Sequence, residues 1–323
     1  MASKLAAVIS TLTKEFWQNS VALYKDMEKV DVKRISSGVP SLDYILGGWI
    51  PVGRIIEIYG PNASGKTTLT IQAMIQFQRS FPDKRVAFID TEHALDPNYA
   101  TALWLNMNEI VFSQPDTAEQ ALSIIDALAE SWEISLIVLD SVAKLAPKKE
   151  VEWNIWDAEM GMRARLMGQG LRKIVPNASK AECTVIFINQ VRDAIGNMYG
   201  PSEVRPSSKA LEYDASLIIR TSSKQLDDKT AVTKFQIKKN KVGMPFRETE
   251  VDIAFGKGYD IVKDLILLSK EIGAVERNGA YFSFWEHRWQ GSEAMVEAIK
   301  ADPELYKEIE KKTQEKLKEF DKK

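Results

Sequence analysis

Residues 53–70 read GRIIEIYGPNASGKTTLT. A near-continuous apolar run, RIIEIYG (54–60), passes through a glycine-bearing turn into TLTIQAMIQFQ (68–78), which has helical periodicity. The turn, GPNASGKTT (60–68), matches G-x-x-x-x-G-K-[ST] directly after a strand and directly before a helix. Gly60 and Gly65 permit a loop, continued through Pro61, Asn62, Ala63 and Ser64, whose successive backbone N–H groups point at phosphate oxygens. The following helix adds its positive end. Lys66 is placed to reach the β and γ phosphates, the Thr67 hydroxyl to ligate Mg²⁺, and Thr68 closes the motif. Four specified positions recur by chance in roughly one of a few hundred chains of this length, before the strand–loop–helix context is required.

Working outward, three more apolar runs have the β-branched character of strands covered on both faces: VAFID (86–90), LIVLD (136–140) and CTVIFIN (183–189). Between them lie the helical patterns TAEQALSIIDALAESW (117–132) and MGMRARLMGQGLRKIV (160–175). The alternation predicts repeated βαβ units and a mainly parallel sheet flanked by helices. Parallel strands present their carboxyl ends on one edge, where α/β ligand sites form. Those ends are the phosphate loop, Asp90-Thr91-Glu92-His93, Asp140-Ser141 and Asn189-Gln190.

Asp140 fits an acid that holds Mg²⁺ through water, although strand-end Asp is also a common turn former. Glu92 can polarise a water for in-line attack on a γ phosphate, the alternative being a solvated loop acid. Gln190 can donate and accept, as a γ-phosphate sensor must. His93 reads as structural rather than catalytic, and Cys183 as inert core. Asp96-Pro97 is a helix N-cap with proline at the first helical position. Tyr99 fits base stacking and ordinary packing equally.

Composition bounds the rest. The 323 residues are 45% hydrophobic and 27% charged, with 17 Gly and 12 Pro, which excludes collagenous, low-complexity and wholly disordered chains. One Cys and two His are too few for an internal disulfide or a Cys/His zinc site and point to a reducing compartment. With no long uncharged apolar run and no signal-peptide pattern, the chain reads as cytosolic, with no membrane partner. The net charge of −2, taken alone, argues weakly against a sequence-independent nucleic-acid binder.

Leu5, Val8, Ile9, Leu12 and Phe16 form one helical stripe within residues 1–33, and a helix so short needs a partner surface. After about 212, SLIIRTSS (216–223), AVTKFQIKKNK (231–241) and RETEVDIAF (247–255) suggest an antiparallel extension of the sheet. A helix (261–273), an aromatic hairpin-like stretch, GAYFSFWEHRW (279–289), and a charged final helix read as a small α+β C-terminal domain. The expected division is 1–33, 34–262 and 263–323.

Six segments together resemble the bacterial RecA recombinase family, in its order and spacing. They are residues 53–70, AFIDTEHALDPNYA (87–100), SQPDTAEQALSIIDALA (113–129), IVLDSVAKLAPKKEVE (137–152), FINQVRDAIGNMYG (187–200) and KKNKVGMPF (238–246). The resemblance implies an ATPase core of RecA type that uses ATP and Mg²⁺. It further implies a helical filament on single-stranded DNA that pairs it with homologous double-stranded DNA, and residues 1–33 as the oligomerisation arm. By matching position, Glu92 and Lys66 are catalytic and Gln190 links the γ phosphate to a DNA-binding loop. Asp96 and Tyr99 contact adenine, and Lys239 and Lys241 reach the ATP of the neighbouring subunit. Two DNA loops are implied, about 153–161 and 191–207, with Met160, Arg165, Arg192, Ile195 and Tyr199 as contacts.

The chain departs from the family's pattern at Trp153 and Trp156, where small residues are usual, and at Asp193-Ala194 in a commonly basic segment. Ser207-Ser208 replaces a Gly pair, Pro201 and Pro206 stiffen the second loop, and the acidic tail common in the family is lacking. Such divergence suits a phage-encoded or accessory member. A ring-forming motor on the same core and a nucleotide-switched structural DNA-binding protein are the competing readings. The low net charge is compatible with DNA binding where a filament repeats a few contacts along the strand.

Overall fold

The computed structural model describes residues 4–15, 21, 32–152, 161–193, 203–205 and 208–320. The chain divides into two units, 1–33 and 34–323. The first contains α1 (Lys4–Glu15), none of whose residues is buried; Leu5 and Val8 of the predicted stripe are exposed. Phe16, the stripe's last member, lies outside the described residues.

The second unit opens with β1 (Arg34–Ile35), the short helix α2 (Pro40–Ile45) and β2 (Ile50–Pro51), which pairs antiparallel with β1. Next come β3 (Ile55–Gly60), α3 (Lys66–Ser80), β4 (Arg85–Asp90), α4 (Pro97–Ala102), β5 (Ile110–Ser113), α5 (Ala118–Glu130) and β6 (Ile134–Asp140). They are followed by α6 (Lys148–Glu152), α7 (Met162–Ala181), β7 (Thr184–Gln190) and the two-residue pair β8 (Arg192–Asp193) and β9 (Glu203–Val204). Then α8 (Ser208–Asp214) leads into β10 (Leu217–Gln225), β11 (Thr230–Asn240), β12 (Glu248–Ala254) and β13 (Gly258–Tyr259). The chain continues as α9 (Ile261–Glu271), β14 (Glu276–Asn278), β15 (Tyr281–Phe284), β16 (His287–Gln290), α10 (Ser292–Ala301) and α11 (Pro303–Phe320).

Nine strands form one sheet in the order β13-β12-β11-β10-β3-β7-β6-β4-β5. From β10 to β5 neighbouring strands run parallel, and β10 through β13 pair antiparallel. The apolar runs are continuous because both faces are covered. On β6, Leu136 and Val138 enter the cluster under α3 with Leu69, Met74 and Phe77. Ile137 and Leu139 enter the opposite cluster with Leu122 and Ile125 of α5 and Leu171 and Ile174 of α7. Burying a large aliphatic side chain contributes about 1.5–3 kcal/mol, so alternate residues of one strand hold helices on opposite faces. Cys183 is buried in the second cluster, where burial pushes its thiol up to about 12.

One detail departs from the expected pairing. SLIIRTSS forms most of β10, which is parallel to β3 (Leu217 opposite Ile56) and antiparallel only to β11. The helix α8 returns the chain to the amino end of the sheet before β10 starts, so β10 runs in the direction of β3. Residues 276–290 form a three-stranded antiparallel sheet, β14-β15-β16. It packs Phe282 and Phe284 against Leu265 of α9, Met295 and Ile299 of α10, and Ile309 of α11. Among the described residues, no helix is long and apolar enough to cross a membrane.

Candidate active site

The strand order β3-β7-β6-β4 sets the carboxyl ends of four neighbouring strands side by side. Gly60 stands opposite Gln190, and Asp140 opposite Asp90. The loop from Gly60 to Gly65 turns over this edge. Gly65 has φ 85° at the N-cap of α3, and a Cβ on Gly60 would collide with the Thr221 carbonyl oxygen, so both glycines are required by the path of the loop. Two residues from distant β-strands hold that path: Thr221 Oγ1 lies 2.6 Å from Ser64 Oγ, and Tyr259 Oη donates to the Gly65 carbonyl at 2.9 Å. Burial raises the Tyr259 phenol far above its usual range, so it stays a neutral donor.

Lys66 is buried and folds back over the loop, donating to the carbonyl oxygens of Gly60 at 3.1 Å and Pro61 at 2.6 Å. Burial lowers its pKa, while Asp140 and Glu92 act in the opposite direction. Thr67 Oγ1 donates to Asp140 Oδ2 at 3.0 Å. Burial lifts the Asp140 carboxyl to about 6, against the Thr67 hydrogen bond that holds it down. These two oxygens fit a hard divalent cation beside the phosphates: both are oxygen donors, and they meet at the mouth of the loop.

Glu92 lies two residues beyond β4. Its Oε1 accepts from Gln190 Nε2 at 2.5 Å, which joins two residues 98 positions apart. Asp90, to which the strand-end pattern assigns no role, sets this loop. Almost fully buried, it accepts from the backbone N–H groups of Glu92, Ala94 and Leu95 at 3.2–3.3 Å. It thereby wraps the segment 91–95 around its own carboxylate and aims Glu92 at the strand edge. His93 is exposed, with φ 54°.

Asp96 caps α4, accepting from the N–H groups of Asn98 at 2.8 Å and Tyr99 at 3.3 Å. Tyr99 is half-buried against the α3-side core, its hydroxyl 2.9 Å from Thr68 Oγ1.

Lys239 and Lys241 are elsewhere. Lys239 stands opposite Ile218, which stands opposite Glu57, three residues before Gly60 on β3. At about 3.3 Å per residue they lie toward the amino ends of the strands, away from this subunit's phosphate loop. Lys239 Nζ donates to the Glu212 carbonyl and, at 3.1 Å, to that of Tyr213; Lys241 Nζ also donates to Tyr213 at 3.1 Å. These carbonyls close α8, and cations are favoured at a helix C-terminus.

Of the expected DNA contacts, Arg165 is exposed on the first turn of α7, and Arg192 lies in β8, paired with Val204 of β9. Met160, Ile195 and Tyr199 lie outside the described residues, as do Trp153 and Trp156.

Comparison with known proteins bears on the whole chain. Residues 3–260 match the model of the RecA N-terminal domain, and residues 263–318 that of the RecA C-terminal domain. The chain belongs to the RecA recombinase family. It is 42% identical to Protein RecA of Nostoc punctiforme over 319 residues, 97% of this chain and 88% of that one. It is 43% identical to Protein RecA of Mannheimia haemolytica over 313 residues, 95% of this chain and 84% of that one. Within the RecA fold, the ties from Thr221, Tyr259 and Asp90 had no sequence signal. Thr221 and Tyr259 meet groups 157 and 194 positions away that only folding brings near, and Asp90 bonds the backbone of its own following loop.

Proposed function

We propose that this RecA-family chain is a DNA-dependent ATPase that assembles as a helical filament on single-stranded DNA and exchanges strands with homologous duplex. The observation that carries the reading is the 2.5 Å hydrogen bond between Gln190 and Glu92 at the mouth of the phosphate loop. In this reading the backbone N–H groups of residues 62–67 and the Lys66 ammonium bind the triphosphate, with Lys66 exchanging the Gly60 and Pro61 carbonyls for phosphate oxygens. Thr67, and Asp140 through water, would hold Mg²⁺, which would neutralise charge developing on the phosphates. Glu92 accepts a proton from the attacking water. A γ phosphate competes with Glu92 for the Gln190 amide. Binding ATP therefore frees Glu92 for its water and pulls Gln190, which leads directly into the 191–207 segment.

Asp96 and Tyr99 border the adenine, α1 docks on a neighbouring subunit, and Lys239 and Lys241 reach that neighbour's ATP. Met160, Arg165, Arg192, Ile195 and Tyr199 meet DNA in two loops, with arginines on phosphates and apolar side chains against bases. ATP turnover measured with and without single-stranded DNA across a salt series tests the whole. A DNA-stimulated rate that falls steeply with salt is expected from phosphate contacts. A rate indifferent to DNA at every salt concentration overturns the proposal.

A further inference from the structure

The 191–207 segment leaves the sheet at Gln190 and returns at Arg205. Its two ends are zipped by β8 and β9, with Arg192 opposite Val204 and Asp193 opposite Glu203. Immediately past this ladder, Arg205 turns inward. Its Nη1 donates to Glu57 Oε2 at 2.6 Å, its Nη2 lies 3.7 Å from Glu212 Oε2, and its guanidinium carbon sits 4.3 Å from the centre of the Tyr59 ring.

Glu57 is the unusual partner. It lies in the middle of β3, three residues before the phosphate loop, and its side chain is 0% exposed. A carboxylate there is sustained only by what surrounds it, namely Arg205 on one oxygen and Asn189 Nδ2, donating at 3.0 Å, on the other. Burial drives the Glu57 pKa up, and Arg205 then Asn189 oppose the rise. Asn189 Oδ1 in turn accepts from the Gln190 backbone N–H at 3.0 Å, and Gln190 holds Glu92. One unbroken series of polar contacts therefore runs from the returning end of the segment, through the centre of the sheet, to the carboxylate beside the phosphate loop.

We propose that Arg205 and Glu57 form a positioning latch, in which the docking of Arg205 on Glu57 and Tyr59 fixes Asn189 and so sets the reach of Gln190 toward Glu92 or phosphate. The inference rests on the reading of 191–207 as a DNA-binding segment. The latch gives that segment a second connection to Gln190, through Asn189, besides the covalent lead from Gln190 into it. Lysine is no substitute, since a single ammonium cannot stack on Tyr59 while it bridges Glu57 and Glu212.

The bland explanation is that Arg205 only neutralises a buried acid, and a double variant separates the two. In Arg205→Ala/Glu57→Gln the buried charge is gone, and the carbonyl of the introduced amide still accepts from Asn189. Neutralisation alone predicts wild-type DNA stimulation in the folded variant. The latch predicts wild-type basal ATPase, an unchanged KM for ATP, and DNA-stimulated kcat lowered about tenfold, a usual size for coupling between sites. Arg205→Lys, which keeps the Glu57 charge paired, gives the same comparison should the double variant not fold. Undiminished DNA stimulation in whichever of the two folds overturns the latch. Absence of DNA stimulation in the wild type overturns the functional reading itself, so the two failures are distinguishable.

Discussion

Glu92 is aimed by Asp90 and held by Gln190, and in the proposed mechanism its own contribution is the ability to take a proton. Glu92→Gln preserves the size and the hydrogen-bonding edge and removes that ability. The variant is expected to bind ATP and DNA as the wild type does while kcat falls about 10²–10⁴-fold, the usual range for a lost general base. Nucleotide titration alongside steady-state turnover checks it, and normal turnover removes Glu92 from this role. Among residues, legibility followed spacing along the chain. Gly60, Gly65, Lys66 and Thr67 declare themselves within one short motif, and Asp140 and Gln190 by closing apolar strands. Arg205 and Glu57 are 148 positions apart, and Tyr259 and Gly65 are 194 apart. No local pattern links such pairs, so they emerge only when the sheet brings them together. Their energetic weight is not smaller for that: stripping Arg205 alone from the buried Glu57 should cost about 3–5 kcal/mol of stability.

At the scale of elements, the seam between α2 and α9 carries two buried acids. Asp43 accepts from Ser36 Oγ at 2.5 Å and from the Ser37 N–H at 2.8 Å, and burial lifts its carboxyl to about 7. Asp264 of α9 accepts from the Ser41 N–H at 2.8 Å and is lifted by burial to about 6. Both values lie above the 3.8 of an exposed Asp, so the folded chain binds protons that the unfolded chain has released. These groups therefore make stability fall as pH rises from about 4 through 6–7, by at most about 1.4 kcal/mol per pH unit each. Asp43→Asn, which keeps an acceptor and removes the titration, is expected to melt higher than the wild type at pH 8 and to lose that advantage by pH 5. Thermal melts across this range test it, and a constant difference between the two chains would show that Asp43 does not titrate here. Neither acid stood out in the sequence, because a carboxylate's burial depends on what packs over it. The elements themselves were legible where both faces of a strand are apolar, as in β3, β4, β6 and β7. They were less so at β10, where SLIIRTSS (216–223), with its polar alternation, suggested an antiparallel ribbon while its residues Leu217–Ile219 lie parallel against β3.

Within residues 34–323 the proposed catalytic groups and the two lysines stand on separate surfaces. The phosphate loop, Glu92, Asp140 and Gln190 occupy the carboxyl edge of the sheet, and Lys239 and Lys241 sit toward the amino edge on the end of α8. Within one subunit these lysines are bonded to the end of α8, not to the phosphate loop. In a head-to-tail assembly each contact joins one surface of a subunit to the other surface of its neighbour, which is the condition for an open helical filament. A net charge of −2 fits this arrangement, since DNA affinity then depends on many subunits each making a few contacts rather than on a strongly basic monomer. The consequence is a test by mixing. Lys239→Ala chains keep an intact phosphate loop but fail to complete a neighbour's site. Lys66→Ala chains fail in their own loop but keep the reaching lysines. Each alone should lack DNA-stimulated ATPase. In an equal mixture, about a quarter of the contacts should pair a sound loop with a sound lysine, and activity should reappear in that proportion. A mixture as inactive as its components, despite filaments seen by electron microscopy, would show that Lys239 acts within its own subunit or on assembly alone. Recovery that scales with the product of the two fractions would place the two halves of the site on different chains.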